Sequence, residues 1–177
     1  MSTRKCLKQF CPLDIPFDAI GLMEPGVPQE PCFCDPVERE DVGRIGCDGV
    51  HFILLPGDEA VYCVDPSMGE PGTYVLPVAE DFRQFLSFVL FCAGANAVAQ
   101  ICWLSPSRFD ALLEEERQID WPERDGALQA VSAAFPLEPA NPYEKVKALQ
   151  AAFDPERLTF SDAYYDTLGL ERPEAGR

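Results

Sequence analysis

The residues able to do chemistry in this sequence are few: one histidine, His51, and eight cysteines at positions 6, 11, 32, 34, 47, 63, 92 and 102. A single imidazole excludes multi-histidine metal centres. Structural zinc usually takes two C-x2-4-C or Cys/His knuckles at module spacing. Here Cys32-Phe33-Cys34 is a C-x-C pair and Cys6 with Cys11 is C-x4-C, a poor match to that pattern. Neither a metal nor another cofactor is predicted. A Cys-His pair, His51 with Cys47 or Cys63, is the one catalytic arrangement left open. It needs a low-pKa thiolate in an electropositive setting, and this stretch is strongly acidic. A lone histidine on an apolar strand reads as a structural residue, so no catalytic residue is assigned.

Other motifs are absent or weak. "GRIGCDG" (43–49) has three glycines, but they precede a strand instead of opening a helix, so neither nucleotide-binding fingerprint fits. There is no G-x-S-x-G and no H-E-x-x-H. Paired carboxylates are plentiful because acids are plentiful, and "LLEEERQID" reads as the solvated face of a helix.

Charge is the strongest compositional signal. The net charge is −16, which opposes phosphate-backbone contacts and therefore nucleic-acid binding. It equally opposes an anionic membrane surface. The acids are unevenly placed: Asp14 to Glu70 holds thirteen Asp or Glu against Arg39 and Arg44, a local net of −11. Solubility alone could account for such a charge. It also suits a basic protein partner. The start, "MSTRKCLKQFCPLD", is charged but no apolar core follows it, so no signal peptide is read. No run is apolar enough to span a membrane; "FLSFVLFCAGANAVAQICWL" carries Asn96 and Gln100 and reads as buried helix. A cytoplasmic protein with reduced thiols is expected.

The elements that must position these residues follow from pattern. Residues 11–37 hold six prolines, which argues against helix and central strand and for an extended lead-in anchored by Phe10, Ile15, Phe17 and Phe33. "VHFILL" (50–55) is a strand covered on both faces. "PGDE" is a turn, and "AVYCV" (60–64) is the returning strand. "TYVLPV" (73–78) is a third strand, placed at an edge by Pro77. Helical spacing then takes over, in 80–100, from Ser105 with Pro106 at the first helical position, in 123–135, in 141–153, and from Ser161 to Gly169. Strands followed by helices predict an α+β fold, with a central antiparallel sheet of about three or more strands packed by C-terminal helices.

The stretch from Gly43 to Leu90 resembles the SUKH superfamily, which includes Syd, yeast regulators of cell-wall assembly and many bacterial proteins. "GRIGCDGVHFILL" is similar to the family's Gly/Asp-rich approach to a central strand, and "AVYCVD" to its next strand. "VLPVAEDFRQFL" looks like its strand leading into an Ala-x-x-Phe-x-x-Phe-Leu helix start, here Ala79, Phe82, Phe85 and Leu86. The family's N-terminal helices are not evident in the sequence. Length predicts one α+β domain over 1–177, with a proline-rich lead-in at 11–37, the SUKH-like core at 43–90, a helical extension at 105–170 outside that shared core, and a frayed tail at 171–177. The resemblance implies a non-enzymatic binding module, of the immunity type that neutralises a cognate toxin, such as a basic nuclease. A regulatory or scaffold protein with another partner is the alternative reading, and a thiol-dependent enzyme a further one. The acids in the loops at the strand ends, Asp58, Glu59, Asp65 and Glu70, are the expected partner-binding residues. Oligomeric state is not readable.

Protein purified without added metal should hold well under one equivalent of zinc by elemental analysis. A stoichiometric value lost on mutation of Cys32 and Cys34 would overturn the ligand-spacing argument.

Overall fold

The computed structural model describes residues 1–46 and 48–173. Its centre is a four-stranded antiparallel sheet of sequential order: β1 (Glu40–Arg44), β2 (His51–Leu54), β3 (Val61–Val64) and β4 (Val75–Ala79). The sheet is preceded by α1 (Thr3–Phe10) and a 3-10 turn at Phe17–Ile20. It is followed by α2 (Phe82–Cys92), α3 (Ala95–Gln100), α4 (Pro106–Gln118), α5 (Pro122–Ala134), α6 (Tyr143–Ala152) and α7 (Asp162–Leu168). The α+β architecture expected from the sequence is therefore present, with helices packed on the sheet. Among the described residues no helix is long and apolar enough to cross a membrane.

Every residue of β2 and β3 is buried. Side chains alternate between sheet faces, so the hairpin feeds two apolar layers. Phe52, Leu54, Val61 and Cys63 enter the larger core with α1, α2 and α3. Ile53, Tyr62 and Val64 face the other way, into a smaller cluster with Cys34, Tyr74, Val75 and Tyr164. That second face is covered by aromatic side chains of the C-terminal segment. Phe160 stacks on Tyr164 at 4.0 Å, and Phe153 lies 5.5 Å from Tyr62. The proline-rich lead-in closes the same face, with Phe33 edge-on to Tyr74 and Pro36 bridged to Phe160.

Three features depart from the sequence reading. The first is α1, in a stretch with no helix assigned: Thr3, Cys6, Leu7 and Phe10 recur at helical spacing and are all buried. The second is β1, which has one large buried apolar residue, Val42, among Glu40, Asp41 and Arg44. An edge strand needs little more, and its charges discourage pairing with other chains. The third is the 3-10 turn inside the otherwise irregular lead-in. Pro77 sits in β4, the opposite edge strand, across from Tyr62, and an edge strand is where a proline is tolerated. The last four residues of the expected tail lie outside the described residues; 171–173 carry no regular element.

One hydroxyl joins three elements. Thr3 Oγ1 donates to the Glu59 carbonyl at 2.6 Å and accepts from the Phe82 N–H at 3.1 Å, while the Thr3 N–H bonds the Glu59 carboxylate. It pins the start of α1 to the β2–β3 turn and to the start of α2. Thr3→Val keeps the volume but leaves the Phe82 N–H and the Glu59 carbonyl without it. We expect a loss of about 1–3 kcal/mol, read from urea unfolding, and no comparable loss for substitution of exposed Lys8.

Candidate functional site

The turn Cys32–Asp35 is closed by two hydrogen bonds. The Asp35 N–H donates to the Cys32 carbonyl at 3.2 Å, and the Cys32 N–H donates to Asp35 Oδ2 at 2.7 Å. Within it the Cys32 and Cys34 sulfurs lie 3.3 Å apart. Cys34 and Asp35 are buried, and Cys32 is half-buried. The lead-in therefore delivers two thiols and a carboxylate to the covered second face, where β2 presents His51.

His51 is held at both nitrogens. Nδ1 meets the Gly49 carbonyl at 2.8 Å and Nε2 meets Asp35 Oδ1 at 2.7 Å. The Gly49 carbonyl can only accept, so Nδ1 donates to it; the Nε2–Asp35 contact holds a second proton, which the raised His51 and lowered Asp35 place on the ring until pH passes the folded histidine value. Gly49 takes φ +77°, and a side chain there would crowd Pro66, so its carbonyl position depends on glycine. Arg39 stands 3.5 Å from Asp35 Oδ2. Its Nε donates to Asp41 at 3.1 Å, and its Nη2 donates to the Gln29 carbonyl at 3.0 Å.

The pKa directions follow. Burial works against the charge on His51, but the hydrogen bond to Asp35 and its negative charge prevail, and the ring sits above its ordinary value. Burial likewise works against Asp35, yet the His51 bond and charge, the Cys32 N–H and Arg39 hold it below the usual carboxylate range. A hydrogen bond from Cys34 lowers Cys32 to about 7, against burial and Asp35, and His51 adds to the lowering. Cys34, as the proton donor and the buried partner, is pushed well up.

Cys32, Asp35 and His51 carry ligand-type atoms within 4.8 Å of one another. The proton inventory is that of an ion cluster: the imidazole has no free lone pair, and the carboxylate already serves two cationic groups. The sequence reading considered the Cys32–Cys34 pair alone and did not connect it with Asp35 or His51. Of the histidine partners it did weigh, Cys47 lies outside the described residues, and Cys63 belongs to the core on the opposite sheet face. The influence of Cys102, together with burial, raises Cys63, while Cys102, which accepts from Gln150 Nε2 at 3.4 Å, is lowered.

The four loop acids do not form one patch. Asp58 and Glu59 precede β3, while Asp65 and Glu70 follow it, at the other end of the hairpin. Asp58 accepts from the Tyr62 hydroxyl at 2.6 Å and from Arg157 at 2.8 Å, which ties the β2–β3 turn to the C-terminal segment. Glu59 holds the start of α1. Glu70 is exposed. Asp65 is only 2% exposed: Oδ1 accepts from Ser67 N at 2.9 Å and Ser67 Oγ at 2.6 Å, and Oδ2 has no partner among the described residues.

Asp65 lines an open pocket of about 530 Å³ together with Asp48, Val50, Asn96 and Trp103. A neighbouring pocket of about 250 Å³ shares Ile45 and Asn96 with it and carries Asp18, Glu116 and Trp121. Both tryptophans of the chain are exposed, Trp103 to 47% and Trp121 to 37%. No protein family, curated protein or solved structure matches this chain.

The sign of the His51–Asp35 contribution is fixed by the two shifts. His51, raised, stabilises fully below its unfolded value of about 6.5, and this is lost as pH rises through the folded value. Asp35, lowered, stabilises above its unfolded value of about 3.9, and this is lost as pH falls through the folded value. The pair contributes most between about pH 4 and 6.5. Cys32, lowered, has the opposite slope above neutrality, so the comparison belongs in a Cys32→Ser background. There, His51→Gln should cost about 3–5 kcal/mol at pH 6 and less at pH 9, by urea unfolding. Equal costs at both pH values would reject the imidazolium assignment.

Proposed function

We propose that this chain is a non-enzymatic protein-binding module of the SUKH type, and that it acts as an immunity protein, neutralising a basic toxin partner. The observation that carries the reading is the Trp103 pocket. A buried carboxylate with an unpartnered oxygen, Asp65, lies with Asp48 beside an exposed indole, in a chain of net charge −16. A lysine or arginine side chain from a partner answers all three features. Its charge meets Asp48 at the pocket and the Asp65 carboxylate enclosed behind the wall, and its cationic head packs on Trp103. Tryptophan is also the residue type most enriched among energetically dominant interface positions.

The sheet bears on this reading by elimination. Both of its faces are covered, so a partner meets loops and helix ends. The N-terminal helix α1 supports the resemblance as well, because helices precede the sheet in the SUKH superfamily. The fold gives the charge a role in approach: an acidic surface steers a basic partner and raises the association rate at low salt.

The test is capture from the native host with this chain as bait, followed by kinetics on the captured protein. Association should slow as ionic strength rises, since exposed charges are screened beyond roughly 10 Å at 0.1 M salt. Asp48→Lys should mainly slow association, and Trp103→Ala should mainly speed dissociation by an amount worth about 2 kcal/mol or more. Expression of the partner alone should arrest growth, and co-expression should restore it. A partner that is harmless rejects immunity while leaving binding intact. Rates indifferent to salt and to both substitutions reject the pocket.

A further inference from the structure

The binding reading makes no use of the paired thiols on the second sheet face. Cys32 and Cys34 stand with their sulfurs 3.3 Å apart, one residue between them. A disulfide bond is about 2.05 Å long, so closure requires a small movement within one turn. The two thiols differ in access. Cys34 is fully buried among Ile53, Tyr74 and Tyr164. Cys32 is half-buried and lines an open pocket of about 140 Å³ with Gln29, Arg44 and His51. Its sulfur lies within 4.8 Å of a ligand atom of His51. An accessible sulfur in hydrogen-bond contact with a buried second thiol, with His51 partly offsetting the Asp35 charge, is the arrangement of an attacking and a resolving cysteine.

We propose that Cys32 and Cys34 form a thiol–disulfide exchange site, with a low-molecular-weight disulfide as its oxidant. Cys32, as thiolate, attacks one sulfur of the small disulfide. A bond forms from Cys32 Sγ to that sulfur, the disulfide bond breaks, and one small thiolate leaves. Cys34 then attacks Cys32 Sγ, its proton passing to the second small thiolate as that thiolate is expelled. The protein loses two thiol hydrogens, and the oxidant is reduced to two thiols. A ring closed by a single intervening residue is strained, and strained disulfides are the readily reducible ones. The same exchange run backwards by an excess of small thiol reopens it.

The other cysteines supply the internal comparison. Cys11 is partly buried with its thiol raised chiefly by burial; Cys63 is buried in the larger core with its thiol raised, and Cys102, half-buried against that core, is lowered but has no thiol within hydrogen-bond reach among the described residues. Cys32 at about 7 is roughly half thiolate at neutral pH, where a thiol near 8.5 is a few per cent ionised. Its attack on a small disulfide should therefore outpace that of Cys11 by about ten-fold or more.

The experiment uses the full chain, reduced and freed of reductant, then exposed to oxidised glutathione at neutral pH. Samples are quenched with acid, free thiols are blocked, and intact and peptide masses are read over time. The expected first product has lost two hydrogens, mapped to the peptide holding Cys32 and Cys34, and returns to the dithiol in excess reduced glutathione. Cys34→Ser should stop at a glutathione adduct on Cys32. Cys32→Ser, at a half-exposed position, should abolish both products while circular dichroism shows the fold retained. First oxidation at Cys11, or across Cys63 and Cys102, overturns the proposal. So does a Cys32 adduct in the unsubstituted chain that never resolves to the disulfide.

Discussion

The β2–β3 hairpin has no face for water. Its eight residues are all buried, so the sheet is stable only when two separate layers cover it, and most of the chain serves that requirement. On one side α1, α2 and α3 supply Phe10, Phe82, Phe85 and their neighbours. On the other side no long helix is available. The cover is assembled from the lead-in and the C-terminal segment, which meet at the Pro36–Phe160 bridge. Apolar area removed from water is worth about 25 cal/mol per Å², and aromatic side chains carry the largest areas. That favours Phe33, Tyr74, Phe153, Phe160 and Tyr164 at a layer with little regular structure.

The same burial dictates the polar chemistry. β2 places a histidine on the covered face, and a buried ring must have its hydrogen bonds met. Asp35 and the Gly49 carbonyl meet them, Arg39 balances Asp35, and Asp41 balances Arg39. A chain of strongly negative charge thus contains a small interior network in which two cations share one carboxylate. The outer surface is strongly acidic while this interior network is balanced, His51 and Arg39 against Asp35 and Asp41, and the Cys32 sulfur lies at its edge.

Sequence and structure agree where periodicity is strong. The strands β2, β3 and β4 and the helices α2, α4, α5, α6 and α7 are all legible from apolar spacing and turn residues. Helix α1 is equally legible, since Thr3, Cys6, Leu7 and Phe10 mark one helical face among the charges of the start. Strand β1 was not legible, because one valine among charges sets no period. The ion cluster was beyond pattern reading altogether: Asp35 and His51 meet only because a proline-rich segment without a period of its own packs across the sheet. Charge counting located the acidic region, yet could not distinguish Glu70, at the surface, from Asp58, which holds Arg157 and Tyr62, or from Asp65, which is enclosed.

The Pro36–Phe160 bridge also sets an order of events during synthesis. The larger core draws on the N-terminal helix, the sheet and the helices that follow directly, so it can consolidate while the ribosome is still extending the chain. The second layer cannot. Ile53, Tyr62 and Val64 wait, incompletely covered, until the segment from Phe153 to Leu168 has left the exit tunnel and found the lead-in. The nascent protein therefore passes through a half-clad state in which one apolar sheet face has only the cover of the lead-in, Phe33 and Cys34. In that interval chaperone protection matters most, and a ribosome stalled before Phe153 would release a chain prone to aggregate.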